Sequence, residues 1–172
     1  MPSVSLSFKI HIPYRLKKIN PGGNSCCDYV DMTATKAVVS KFADNCYLPA
    51  NTILLSEIRK HQNKFRVAFS ISGTALELFK RFRPDVLQSF KKLFQTGCVE
   101  LYAEPFYNSL SWLYSKPEFE RQVEKHHALV SEIFGAAPTV FRNSELIHSN
   151  ELAKQIAGMG YAGIFCDGLQ RI

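Results

Sequence analysis

No apolar stretch in the 172 residues approaches the roughly 20 needed to cross a bilayer. The N-terminus also lacks the basic, apolar, small-residue order of a secretory signal, so no membrane partner is expected and the cytoplasm is the expected compartment. No Gly-rich loop of the form GxGxxG or GxxxxGK[ST] is present, so a nucleotide phosphate has no backbone cradle and no cofactor is expected. A GxSxG elbow is absent, which disfavours an α/β-hydrolase. Neither CxxC nor HxxxH occurs, so no metal site is expected; His126 and His127 are adjacent and point in different directions on a helix. Five cysteines cannot all pair within one chain, and Cys46, Cys98 and Cys166 each stand alone in apolar surroundings while Cys26 and Cys27 are neighbours. They are expected to be buried, reduced thiols.

What is present is the composition of a folded chain: 46% hydrophobic, 12% aromatic and 21% charged residues. A chain of this length buries roughly 70% of its unfolded surface and needs no staple, so residues 1–172 are read as one domain or most of one. Lys and Arg number 21 against 15 Asp and Glu, but the positives are scattered, with short clusters only at 15–18, 80–83 and 91–92. A solvated face accounts for that dispersal better than a nucleic-acid site, and no nucleic-acid partner is expected.

Hydrophobic periodicity orders the elements. VSLSFKI (4–10) alternates as a strand. After a loop with Pro21, Gly22 and Gly23, residues 33–46 carry Ala34, Ala37, Val38, Phe42 and Cys46 at helical spacing. Asn51 reads as the N-cap of a further helix ending near Asn63. RVAFSI (66–71) is a second strand, and Gly73 and Thr74 lead into a helix that Pro84 stops. Asp85 and Gln88 resemble a capping box, and Gly97 sits where a left-handed C-cap falls. CVELYA (98–103) is a third strand, Pro117 begins a helix that runs to Gly135, and residues 139–141 form a short fourth strand. A helix from Ser149 or Asn150 precedes a fifth strand over 161–166. Strands alternating with helices imply an α/β fold with parallel pairing.

In parallel α/β folds, ligands bind at the C-terminal ends of the strands. Those ends carry His11, then Ser70 and Ser72, then Glu104 with Glu100 inside its strand, then Arg142, Asn143 and Glu145, and finally Asp167. Paired carboxylates serve glycoside hydrolysis, in which one donates a proton and the other acts as nucleophile or base. Hydrogen-bonding partners for a sugar are present in His11, Asn108, Arg142 and Asn143, and aromatic faces in Tyr107 and Trp112. A Glu near an Arg is equally a structural ion pair, so residue types alone leave other ligands open.

The segment VFRNSELIHSN (140–150) resembles the nucleophile motif of glycoside hydrolase family 57, whose usual form is close to VFRNTELIYN. FKIHIPYRL (8–16) is similar to that family's first motif, FxxHQPxRL. CYLPAN (46–51), FSISGTALE (69–77) and TGCVELYAEPFYNSL (96–110) resemble its α-amylase branch in the same order, so the likeness spans nearly the whole chain. It implies the N-terminal part of an incomplete (β/α)7 barrel and action on an α-glucan or maltooligosaccharide with retention of configuration. Glu145 takes the nucleophile position, His11 matches the histidine lining the donor sugar site, and Glu100 matches the acidic residue of the second motif. Glu104, Trp112, Arg142 and Asn143 complete the expected substrate-binding set, and Arg142 is expected to keep Glu145 ionised if their side chains meet.

The departures bear on activity. Ile12 replaces the Gln of HQP, Asn108 stands where His is frequent, and Asp167 replaces a Glu before Gly. AEPFYNSL carries the Glu-Pro pair of the 4-α-glucanotransferase branch, so hydrolysis and transfer both remain open. The family's general acid is an Asp in a segment resembling MDYETFG, which does not occur in the 172 residues. The chain is therefore expected to be truncated before that motif, to pair with a remaining barrel segment, and to be inactive alone. A non-catalytic α-glucan-binding protein is a second reading. A related-barrel deacetylase is a third, disfavoured because only His11 stands near the rim where an Asp and two His are needed.

Overall fold

The computed structural model describes residues 4–18, 29–62 and 64–168. The Pro21–Gly23 loop, the Cys26–Cys27 pair, the helix end expected near Asn63 and the tail from Leu169 onward lie outside the described residues. Strands β1 (Leu6–Ile10), β2 (Val67–Ile71), β3 (Val99–Ala103), β4 (Val140–Arg142) and β5 (Gly163–Phe165) form one parallel sheet in the order β1-β2-β3-β4-β5. Because each strand pairs with the next and crossovers keep one hand, the connections fall on one face and the sheet curls into part of a barrel. The order confirms the expected α/β barrel segment and differs from a doubly wound sheet, whose strand order reverses at a switch point.

The helices are α1 (Met32–Phe42), α2 (Leu48–Lys60), α3 (Gly73–Phe82), α4 (Pro84–Phe94), α5 (Ser111–Tyr114), α6 (Lys116–Phe134) and α7 (Asn150–Gly158). A π turn over Ala43–Tyr47 joins α1 to α2, so the helical run is continuous where two separate helices were expected. Asn51 is therefore no N-cap: it is buried inside α2, where its Nδ2 donates to Ser89 Oγ on α4 at 2.8 Å. Pro49 stands where the π turn passes into α2, and its missing N–H removes one bond from the ladder at that junction. The capping box at Asp85 is also absent. Arg83 binds both oxygens of Asp85 and reaches Asp44 at 2.8 Å, so the carboxylate holds the guanidinium that ties α4 to the π turn instead. The cap expected at Gly97 (φ 71°) does adopt left-handed backbone, as does Gly135 (φ 75°), where α6 ends, and Ser149 caps α7. Gly73 opens α3 against the ring of Phe106, which a Cβ would meet at 2.4 Å.

Period-two alternation divides the two faces of the sheet. Val67, Phe69 and Ile71 of β2, Val99 and Leu101 of β3 and Ile10 of β1 point to the helices, where they join Leu76, Phe79, Phe90, Leu93 and Val130 in the main core. The Phe69 and Phe90 rings meet edge-on with centroids 5.3 Å apart, and each such burial is worth about 2–3 kcal/mol. A second cluster forms where Ala103 and Phe141 meet Phe119 and Val123 of α6 and Leu152 and Ile156 of α7. The opposite, concave face carries Ser7, Lys9 and His11, then Ala68, Ser70 and Ser72, then Glu100, Tyr102 and Glu104, then Arg142. Tyr102 and Phe165 stack at 5.4 Å across the intervening β4, whereas strands two apart in a flat sheet lie about 9.6 Å from each other. The sheet is thus curved toward its polar face.

Of the expected buried thiols, Cys98 is buried and Cys166 half-buried, but Cys46 in the π turn is exposed. No helix among the described residues is long and apolar enough to cross a membrane.

Candidate active site

The rim of the concave face has two parts. The first spans β1 to β3. The residues that β2 turns to this face are small, Ala68, Ser70 and Ser72, and longer side chains from its neighbours meet over them. Lys9 Nζ from β1 reaches Oε2 of Glu104, just past the end of β3, and Ser70 Oγ donates to the same oxygen. Glu104 is 1% exposed, and its Oε1 has no hydrogen-bond partner. Burial draws the Lys9 ammonium below its ordinary value, opposed by the adjacent Glu104 charge. His11, half-buried at the end of β1, holds Ser72 Oγ at 2.8 Å and Thr74 Oγ1 at 3.4 Å through Nδ1, while Nε2 has no partner among the described residues. Burial, and after it the Lys9 charge, holds His11 below its ordinary 6.5.

Beneath this row, His126 of α6 is fully buried. Its Nδ1 accepts the Glu104 backbone N–H at 3.3 Å, so Nε2 carries the proton and donates to the Ile71 carbonyl at 2.8 Å. Burial lowers its pKa, in keeping with this neutral ring. One imidazole thus fixes the ends of β2 and β3 to each other. The expectation that His126 and His127 diverge holds: His127 faces Tyr161 at 3.2 Å.

The second part of the rim is the turn after β4. Ser144–Leu146 is a single 3-10 turn in which Glu145 (φ 53°, ψ 22°) and Leu146 (φ 57°) are both left-handed. A left-handed residue other than glycine costs roughly 1–2 kcal/mol, and such strain concentrates at functional sites. Asn143 sustains it. Its Oδ1 accepts from the Ser144 N–H at 2.9 Å and its Nδ2 donates to the Ile147 carbonyl at 3.0 Å. Glu145 is exposed, and its charge acts on both Lys9 and His11, which places it on the same rim.

Several expected contacts are corrected. Asn143 is 3% exposed with both ends of its amide engaged within the turn, so its contacts shape the turn and do not face the open rim. Arg142 lies on the concave face, but among the described residues it forms no ion pair with Glu145; its charge acts on Lys9 and Tyr102. Glu100 pairs in register with Ala68, four residues before Glu104, which places it about 13 Å down the strand from the rim. It lines a cleft of about 280 Å³ with Ser5, Arg66 and Gly97 at the other end of the sheet. Trp112 is buried on the helix side, its ring against Phe119 at 5.2 Å and Lys116 at 5.5 Å, so neither it nor Glu100 joins His11 and Glu145. Asp167 is exposed at the end of β5. Asn108 adopts φ 53° in the turn closed by its N–H on the Pro105 carbonyl. The residues that sequence reasoning did not place at the site are Lys9 and His126. Alternation could have found Lys9, two residues before His11 on the same face. No group of three or more His, Cys, Asp or Glu among the described residues is gathered in a way that could hold a metal.

Comparison with known proteins adds to this geometry. The model of the family described as Glycosyl hydrolase family 57 matches residues 5–172. A protein of Methanocaldococcus jannaschii named "Putative alpha-amylase" is 40% identical over 172 residues, covering 98% of this chain and 36% of the relative. The crystal structure of 4-alpha-glucanotransferase from Thermococcus litoralis superposes with a TM-score of 0.70 at 19% identity, covering 96% of this chain and 23% of that one. The alpha-amylase AmyC from Thermotoga maritima gives a TM-score of 0.65 at 15% identity, covering 94% and 39%. At those identities the two structures bear on the fold alone. The chain spans about a third of the length of its M. jannaschii relative.

Proposed function

The chain belongs to glycosyl hydrolase family 57, and from that premise we propose that its concave rim binds an α-glucan and that Glu145 is the nucleophile of a retaining glycosidase or glucanotransferase. The observation that carries this reading is the turn after β4: an exposed carboxylate held in left-handed backbone at the C-terminal end of a strand, with the buried Asn143 maintaining the conformation. In the proposed reaction the Glu145 carboxylate attacks the anomeric carbon, and the bond to the leaving oxygen breaks as that oxygen takes a proton from a second carboxylic acid. The resulting glycosyl ester is then opened by water or by a sugar hydroxyl, which is the only difference between hydrolysis and transfer. His11, with Nε2 unpartnered among the described residues, is placed to meet a sugar hydroxyl.

Glu104 is a poor candidate for the proton donor. Lys9 and Ser70 both occupy Oε2, and the carboxylate is buried beneath the rim. The 172 residues contain no segment like MDYETFG, so the proposal places the acid outside them. Release of reducing ends from soluble starch tests both points. A longer chain that completes the barrel is expected to be active, with Glu145→Gln lowering turnover by about 10⁴-fold or more and leaving the fold intact. The 172-residue chain alone is expected to show no turnover. Retained activity in the Gln variant removes Glu145 from the nucleophile role, and clear turnover by the short chain places an acid within it.

A further inference from the structure

Lys9 belongs to none of the residues assigned above, yet the concave face is arranged around it. Its Nζ touches the buried Glu104 carboxylate, which Ser70 also approaches and whose other oxygen has no donor. A buried carboxylate in that state cannot lose its cation without a large cost, so the ammonium is fixed in place whether or not a ligand is bound. Its side chain is still 24% exposed, so the fixed charge reaches the surface of the rim. His11 follows two residues later on the same face, about 7 Å along the strand, with Nδ1 pinned by Ser72 and Thr74.

We propose that Lys9 is a positioning residue of this site: an ammonium locked over Glu104 that stands beside His11 on the concave face and fixes the charge that the imidazole meets there. The groups acting on His11 are few. Lys9 lies on its own strand, Glu104 beyond β3 and Glu145 on the turn after β4, while Ser72 and Thr74, which hold the ring, carry no charge. Burial, and after it Lys9, opposes protonation of the ring, and the two carboxylates favour it. An uncharged ring can accept a hydroxyl proton at Nε2 or donate one, according to tautomer, whereas a protonated ring only donates. The inference rests on the α-glucan reading solely for the identity of the ligand.

The test is the NMR titration of His11 in the 172-residue chain. In Lys9→Met the His11 midpoint is expected to rise by about one pH unit, and Lys9→Arg, which restores the charge, is expected to titrate like the parent. If Lys9→Met fails to fold because Glu104 is left unpaired, the double variant Lys9→Met, Glu104→Gln removes both charges and gives the same reading; its midpoint is expected to rise less, because Glu104 partly offsets Lys9. A His11 midpoint unchanged in whichever of these variants folds, or raised equally by Lys9→Arg, overturns the proposal. A parallel titration with maltoheptaose separates the two readings. Binding by the parent chain that weakens at least about tenfold in Lys9→Met and survives in Lys9→Arg supports both. A His11 shift as expected with no binding by the parent chain leaves the role of Lys9 standing and removes the α-glucan reading.

Discussion

The two carboxylates of the rim, Glu104 and Glu145, are built in opposite ways. Glu104 is buried, bonded to Lys9 and Ser70, and its backbone N–H rests on a buried imidazole. Glu145 is exposed, sits on strained backbone and has no ion pair among the described residues. The β1–β3 side spends its polar groups on one another and so makes a rigid floor. The β4 side leaves its carboxylate with no ion pair among the described residues, open to a ligand as the proposed role of nucleophile needs. A residue's burial and partners, more than its type, separate support from chemistry here.

The largest expected effect tests the supporting side. Glu104→Ala leaves the Lys9 ammonium without its anion, and breaking a buried pair in this way costs about 3–5 kcal/mol. Glu145→Ala breaks no side-chain hydrogen bond or ion pair among the described residues and is expected to fall within about 0.5 kcal/mol of the parent. Urea unfolding of the two variants measures the gap. Equal midpoints would show that the buried pair carries no more of the fold than the exposed turn does, and the contrast would fail.

A smaller effect comes from His126 and depends on pH. Burial lowers its pKa in the folded state below the ordinary 6.5, so in the window beneath that value the unfolded chain binds more protons than the folded one. Stability is then fully present above about pH 6.5 and declines as pH falls toward the folded-state value, by up to about 1.4 kcal/mol per pH unit for this one group. His11 adds in the same direction. In His126→Gln the acid-side slope should flatten, measured as unfolding free energy between pH 7 and 5, at about the range histidines titrate. An unchanged slope would mean that the imidazole is not the buried neutral tie between β2 and β3.

The strands were legible as short apolar runs and their parallel pairing from alternation with helices. The barrel arrangement came instead from the family likeness, because β2 is buried along its whole length and shows no period of two. The C-terminal rim was legible from where the strands end: His11, Glu104, Arg142 and Glu145 all fall there. Errors arose where a side chain had two options of similar local merit. Asn51 can cap a helix or bond Ser89 from within one, and only the packing of α2 on α4 decides. Asp85 can cap α4 or hold Arg83. Trp112 looked available because its loop is long, yet α5 turns it into the core. Asn143 sits inside the motif but acts through its turn, which motif likeness cannot distinguish from contact with a sugar.

The smallest expected effect concerns the strain itself. Glu145 holds φ 53° with a Cβ that resists it, and glycine adopts that backbone without the penalty, at some cost in chain entropy. Glu145→Ala keeps the strain and removes the carboxylate, whereas Glu145→Gly removes both. The glycine variant is therefore expected to be more stable than the alanine variant by about 0.5–1 kcal/mol, although both lack the proposed nucleophile. Thermal unfolding of the pair reads this difference directly. Such a gain would mean that the turn is kept unfavourable in order to place a carboxylate, the stability cost that functional sites tend to carry. If alanine is as stable as glycine, the left-handed conformation costs nothing here, and strain ceases to distinguish the β4 side of the rim from the β1–β3 side.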